Sequence, residues 1–348
     1  MKERTKETLR DGFGSLISNA AAMRGAKNGP LWLTILMFVF SLLFPILPLF
    51  VSQMNTNGST FLKSYSYGLE RYVTKMAIDL DERHVEFGID ENHLLSIKEN
   101  GNSIAYSNYG GTTPFAAYTN EVSGQYELAL YVSDAKTTAQ RKEVNTEITT
   151  RVYGNGTTTV SADTENIYRP SYILLFDDAI YVVIYNNNKQ ITNSLGGDFK
   201  TMKANANYLT VLLEVKDKDG NIITKSMTDD NYVNGVYKNF KKFLDKSYET
   251  LKIKDTLLTC GIYLAIFFGV SVLMGFLMWL LTRGKKNPNN YFSPWLTMKI
   301  EARLGLAPGI ITLIAGFFLT QYVPLIFIMT LGLRVMWISM KELRPIQQ

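Results

Sequence analysis

The sequence is poor in the side chains that usually carry chemistry. It has one cysteine, Cys260, in 348 residues, so no disulfide can form within one chain. Cys260 lies inside a long apolar run, where it reads as a small buried side chain. Two histidines, His84 and His93, are the only imidazoles. Glu82 and Glu86 lie near His84, and residues 82, 84 and 86 of a strand would share one face. Structural or solvated histidines remain the simpler reading. Asp177 and Asp178 are adjacent, and neighbours in a strand point to opposite faces, so they read as a turn and not as an acid pair. The chain has no G-x-x-x-x-G-K-[ST] loop, no G-x-S-x-G, no H-E-x-x-H and no dinucleotide fingerprint. The expectation is a non-enzymatic protein with no catalytic residue, no cofactor and no metal site. No internal repeat is visible, and the many tyrosines between 54 and 254 come without a tryptophan, which disfavours a carbohydrate platform.

Charge is also missing in places, and there the sequence says most. No charged residue stands between Arg303 and Arg334. Apolar residues pile up at 31–51, 256–282 and 304–333. A hydrocarbon core of roughly 30 Å needs about 20 apolar residues in a helix. "LWLTILMFVFSLLFPILPLFV" and "TLLTCGIYLAIFFGVSVLMGFLMWLLT" each meet that length. The first is too long for a signal h-region, and no small-x-small site follows "LFVSQM", so it reads as a retained helix. Pro45 and Pro48 predict a kink or an early end. The third run is too long for one upright crossing and short for two. A hairpin turning near "TQYVP", with Pro324 in the first turn of the returning helix, resolves this if the second helix continues to about Met340.

The basic residues set the expected orientation. Residues 1–29, 283–303, Arg334 and the tail together hold 14 basic residues against 5 acidic. The remainder, essentially 54–255, holds 22 against 26. Short loops facing the cytoplasm carry the excess of Lys and Arg, so both termini are expected inside and the large segment outside. All four tryptophans, Trp32, Trp279, Trp295 and Trp337, fall near the predicted cytoplasmic ends of apolar runs, where indoles anchor at the interface. The basic clusters suit the inner leaflet of the lipid bilayer and not nucleic acid.

The expected fold class is therefore an α-helical polytopic membrane protein of about four transmembrane helices, with a large extracytoplasmic α+β domain inserted between helices 1 and 2. The divisions are a cytoplasmic amphipathic segment 1–29, transmembrane helix 1 at 30–53, the outer domain 54–254, transmembrane helix 2 at 255–282, a basic cytoplasmic loop 283–303, a transmembrane hairpin 304–340 and a tail 341–348. Leu9, Phe13, Leu16, Ile17, Ala20 and Met23 form an apolar stripe in the first segment. The outer domain opens with helical spacing at Leu62, Tyr65, Leu69, Tyr72, Val73, Met76 and Leu80. It closes with Val236, Tyr237, Phe240, Leu244, Tyr248 and Leu251, and both ends are expected to continue as stalks into the membrane helices. Between them "HVEFGI", "LLSIK", "SIAYS" and "QYELALYVS" read as strands and "YILLFDDAIYVVIYN" as a hairpin. "NYLTVLLEVKDKDGNIITKSM" reads as a second hairpin turning at Asp219-Gly220, or as a helix in its first half. Residues 134–170 read as a long polar excursion.

Within the membrane segments, Gly261, Ala265 and Gly269 stand four apart, and Gly305 and Gly309 repeat the spacing. Small residues at this interval let helices approach closely. Arg334 is the one charge expected at membrane depth, either snorkelling to the headgroups or facing the bundle.

The order of features resembles a family of bacterial membrane proteins known as DUF1189, some of which are labelled maltodextrin-utilisation proteins. The shared features are a basic amphipathic N-terminus, a first helix ending "LFPILPLFVSQ", an outer hairpin "YILLFDDAIYVVIY" and terminal helices containing "LGLAPGIITLI". The resemblance implies a bacterial plasma membrane and an accessory role near transport or envelope processes. Two readings follow. In one, the outer domain binds a partner, another membrane protein such as a transporter or envelope complex. In the other, the chain is a sensor that couples ligand binding outside to its cytoplasmic segments.

Overall fold

The computed structural model describes residues 10–62, 68–106, 113–120, 124, 126–150, 152–154, 157–159, 171–185, 191–283 and 287–343. Leu9, Tyr65, Lys285, Lys286, Arg344 and residues 160–170, which entered the sequence reading, lie outside the described residues. The chain divides into two compact units. One joins Met1–Asn55 to Lys254–Gln348, and the other is Thr56–Ile253. Four helices are long and apolar enough to cross a membrane: Leu31–Met54, Asp230–Leu281, Pro294–Phe318 and Thr320–Lys341.

The unit built from both chain ends begins with a helical turn at residues 10–14 and a tight turn at Ser15–Ile17. Ser18 then caps helix α1, Asn19–Asn28, its side chain accepting from the Ala21 amide. The expected single amphipathic stripe is thus broken at Ser15–Ser18, next to Gly12 and Gly14. Phe13 and Ile17 are 72% and 93% exposed. The buried face is instead Ala21, Ala22, Gly25 and Ala26, small residues that let another helix come close.

Helix α2, Leu31–Met54, runs through Pro45 and Pro48 without ending. A proline cannot donate to the carbonyl four residues earlier, so Pro45 leaves the Ser41 carbonyl without its helical partner. Gly309 covers it: a Cβ at Gly309 would sit 2.9 Å from that oxygen. Pro48 packs the same way against Gly316, where an added Cβ would lie 2.8 Å from the proline Cγ. Gly309 and Gly316 thus give this face of α2 close-packed neighbours, without supplying the hydrogen-bond donors that the prolines lack.

In the Thr56–Ile253 unit, a 3-10 turn at Gly58–Leu62 precedes helix α3, Leu69–Glu82. Strands β1 (Val85–Ile89), β2 (Leu95–Glu99) and β3 (Asn102–Ser103) form a small antiparallel sheet. Strands β4 (Ala116–Thr119) and β5 (Tyr126–Val132) lead to helix α4, Thr138–Thr150, and to the pair β6 (Val152–Gly154) and β7 (Thr157–Thr159). Strands β8 (Ser171–Leu175), β9 (Ala179–Tyr185) and β10 (Ile191–Asp198) complete a five-stranded sheet of order β10-β9-β8-β5-β4. The β5 and β8 strands pair in parallel, Leu128 with Ser171 through Val132 with Leu175, and the other pairs are antiparallel.

The central strands are apolar almost throughout, the pattern of a sheet covered on both faces. Alternation sends Leu128, Leu130, Val132, Ile173, Leu175, Ile180, Val182 and Ile184 into one core, with α3. It sends Ala129, Tyr131, Tyr172, Leu174, Val183 and Tyr185 into another, with Ile148 and Val144 of α4. The supposed polar excursion thus contains a helix that covers the tyrosine-rich face, and Tyr172 donates to Asn145 Oδ1 at 2.6 Å.

After the sheet comes short helix α5, Tyr208–Leu213, so the helical alternative for that stretch is the one adopted. Asp219-Gly220 still turns, with Lys216 bridging to Ile222. Helix α6 then runs unbroken for 52 residues, Asp230–Leu281. Only this connection is a continuous stalk. At the other, α2 ends at Met54 and the chain passes into the 3-10 turn.

The chain re-enters the first unit within α6 and continues there through α7 (Pro294–Leu304), α8 (Leu306–Phe318) and α9 (Val323–Lys341), with a 3-10 turn at Thr320–Tyr322 and Pro324 in the first turn of α9. The helical run therefore starts at Pro294, ten residues before the expected hairpin.

Two predictions test this packing. Gly309→Val should cost about 1–3 kcal/mol by forcing α8 from α2, while Gly269→Val, with open space at its Cβ, should leave the melting temperature unchanged. Thermal unfolding of full-length protein in detergent decides; equal effects would contradict the close approach. The second prediction concerns Tyr232, fully buried with its hydroxyl donating to the Leu213 carbonyl at 3.3 Å. Burial, then the charge of Asp81, pushes its phenol up to about 12. The folded state thus holds the proton more tightly, so this stability is complete below about pH 10 and drains as pH rises towards 12. Tyr232→Phe should shrink the alkaline fall in melting temperature across that window. A fall of unchanged steepness would remove Tyr232 from its cause.

Candidate ligand-binding site

The core facing α3 does not close completely. It encloses a cavity of about 280 Å³. One wall is the α3 stripe Val73, Met76, Ala77 and Leu80, residues at helical spacing that meet on one face. The floor comes from the two sheets, through Phe87, Ile89 and Leu95 on one and Leu130, Ile173, Leu175 and Ile180 on the other. Phe240 and Phe243 of α6 form the opposite wall.

Helix α5 roofs the cavity. Six residues make a marginal helix, and this one is held at both ends by asparagines. Asn207 caps its start, accepting from Leu209 at 3.1 Å and also from Phe87 of β1 at 3.2 Å. Asn239 of α6 closes its end, donating towards the carbonyls of Val211, Leu212 and Glu214 at 3.4, 3.2 and 3.1 Å. Tyr208 donates to the Lys203 carbonyl at 3.1 Å and rests against the Phe243 ring. Burial pushes its phenol above the ordinary value, so it stays neutral at physiological pH. Lys242 and Lys246 line the mouth and are exposed. The lining holds apolar side chains, one amide, one phenol and two ammoniums.

The polar residues singled out from sequence are not brought together. Glu82 ends α3, and His84 sits in a left-handed turn at φ 54°, so 82, 84 and 86 share no strand face. His93 occupies a second left-handed turn, at φ 61°, between β1 and β2. Among the described residues no three His, Cys, Asp or Glu side chains are placed to hold a metal ion. Asp177 and Asp178 form the β8–β9 turn; Lys136 pairs with Asp177 and Arg141 with Asp178.

In the other unit, Gly305 and Gly309 lie against Ser41 of α2, whereas Gly261 and Gly269 face open space and Ala265 is exposed. Trp32, Trp295 and Trp337 are exposed. Trp279 is partly covered, with the Arg283 guanidinium 4.5 Å from its ring. Arg334 is held by neighbouring segments of the chain: it donates to the Leu304 carbonyl at 2.9 Å, to the Ser15 carbonyl and, at 3.5 Å, to Asn19 Oδ1. It thereby ties the turn before α1 to α7.

Arg334 is not alone. Glu301 and Arg303, expected within the basic cytoplasmic loop 283–303, are 1% and 0% exposed. Arg303 Nε donates to Thr34 Oγ1 at 3.0 Å, and its other two nitrogens lie under Gly25 and Gly29 of α1. A side chain at either glycine would strike the guanidinium. One Glu301 carboxyl oxygen is buried without a partner among the described residues. The signal in the sequence was the continuity of "TMKIEARL" with the apolar run after it.

Comparison with protein-family models, curated proteins and solved structures finds no match to this chain.

A buried hydrogen bond to a charged group contributes about 1.5–3 kcal/mol. Thr34→Val should therefore destabilise the full-length protein by about that much, while Glu301→Gln, which keeps the shape of a group with one carboxyl oxygen unpartnered among the described residues, should cost nothing or raise the melting temperature. A Glu301→Gln loss as large as that of Thr34→Val would mean that a cation or basic group holds the carboxylate.

Proposed function

We propose that this chain is a non-enzymatic, multi-pass receptor of a bacterial plasma membrane. Both termini lie in the cytoplasm, and the outer domain takes an apolar-bodied small molecule into the cavity between α3, α5 and α6. Occupancy passes to the membrane segment along α6. The observation that carries this reading is the helix itself: Phe240 and Phe243 wall the cavity, and the same helix continues without a break to Leu281. That helix is the covalent route by which a shift at Phe240 and Phe243 would reach the membrane segment.

Cys260, the only thiol, lies on that rod and is largely covered. Ala77→Phe would fill the cavity and stand in for an occupant. It should change the rate of maleimide modification of Cys260, in full-length protein in nanodiscs, by about fivefold or more, the low end of ordinary coupling. Addition of dodecan-1-ol should change the wild-type rate the same way and leave the filled variant unmoved. Unchanged rates in both would sink the coupling.

One observation favours the accessory reading as well. Gly261, Ala265 and Gly269 sit on an exposed face of α6, unused within the chain, and a partner's helix would fit there closely. Crosslinking from native membranes should recover a stoichiometric membrane protein if this holds, and the chain alone if it does not.

A further inference from the structure

We infer that the molecule taken up by the cavity is a single-chain amphiphile with an anionic headgroup, its alkyl chain inside and its head paired with Lys242 and Lys246. This rests on the reading of the cavity as a binding site and adds the chemical class of the ligand.

The interior sets the tail. Its lining is aliphatic and aromatic, and the polar side chains stand apart from it, at the α5–α6 side. A polar body would lose its hydration there and find no partners. The volume, about 280 Å³, exceeds the roughly 150 Å³ that holds one benzene. It stays just below the roughly 300–1,000 Å³ range of drug-sized pockets. One chain or a small ring fits, and a two-chain lipid does not.

The mouth sets the head. Asn239, Lys242 and Lys246 stand at i, i+3 and i+7 of α6 and share one face. The Asn239 amide donates to the α5 carbonyls and the Tyr208 hydroxyl to Lys203. The two ammoniums are the donors left over: both are exposed, and neither has an ion pair among the described residues. Their stems extend over the apolar mouth while the charges reach water. No carboxylate lines the site, so a cationic head would meet only like charge. A carboxylate or a phosphate monoester there would have two cations in the lining to pair with. Val211 of α5, 51% exposed at the rim, offers apolar surface to the first carbons below the head.

The test uses full-length protein in zwitterionic nanodiscs and three photoreactive probes with the same twelve-carbon chain and a terminal diazirine: the acid, the alkyl phosphate and the alcohol. Adducts are mapped by mass spectrometry. The acid or the phosphate should label peptides containing Val73–Leu80 and Phe240–Phe243 at a concentration about fivefold or more below that of the alcohol. The combined Lys242→Glu and Lys246→Glu variant should reduce anionic labelling to the alcohol's level and leave the alcohol's labelling unchanged, which also reports that the variant is folded. Ala77→Phe should abolish all three. Preference for the acid points to a free fatty acid, and preference for the phosphate to a phosphorylated single-chain lipid; either supports the inference. Equal labelling by all three probes, unmoved by the lysine changes, would overturn the headgroup assignment and leave the cavity reading standing. No adduct in the cavity from any probe would overturn both.

Discussion

A single helix of 52 residues is the constraint on which the rest of this molecule depends. Its first half must satisfy a soluble core. Val236, Phe240, Leu244 and Tyr248 are buried there, while the lysines between them face water. Its second half is apolar on every side and exposes Leu257, Leu258, Ile262 and Phe268, as expected where the surroundings are hydrocarbon. No proline interrupts it from 230 to 281. The sheet, with both faces needing cover, supplies the surface that its first half packs on, and α5 is pinned to it through the Asn239 amide and the Tyr232 hydroxyl.

Much of this organisation was legible in the amino-acid order, and the illegible parts share a cause. Strands β5, β8 and β9 announce themselves because β-branched and aromatic runs suit a pleated surface buried on both sides. The Asp177-Asp178 turn sits where two such runs must be joined. Helix α4 was hidden because Val144 and Ile148 are its main apolar anchors among threonines, asparagine and charges, too few to set a period. The prolines of α2 left a kink or an early end open; the helix does not end there, and Gly309 and Gly316 on a distant segment pack against it at Ser41 and Pro48. The cavity had no signature at all. Val73, Met76, Ala77 and Leu80 read identically whether the space opposite them is filled by side chains or left open.

The buried charges show the same limit from the other side. Arg334 stood out because its neighbours are apolar for many residues on either flank. Glu301 and Arg303 did not, because they were counted with the lysines of the basic segment 283–303. The burial of Arg303 depends on Gly25 and Gly29, 270 or more residues away in the chain, leaving room for its guanidinium. Sign and count of charge locate a segment relative to a membrane; they do not say which charges a neighbouring helix will cover.

The Ser41 carbonyl, freed by Pro45 and covered by Gly309, bears on the order in which the chain can be completed. In hydrocarbon an uncovered carbonyl is costly, so α2 is unfinished until α8 arrives. Between them lie the whole Thr56–Ile253 unit and α6. The contact is therefore made across most of the described chain: α2 meets the glycine that lies over Ser41 only once α8 is in place. A chain truncated before residue 306 would lack Gly309 and leave that face of α2 without its neighbour.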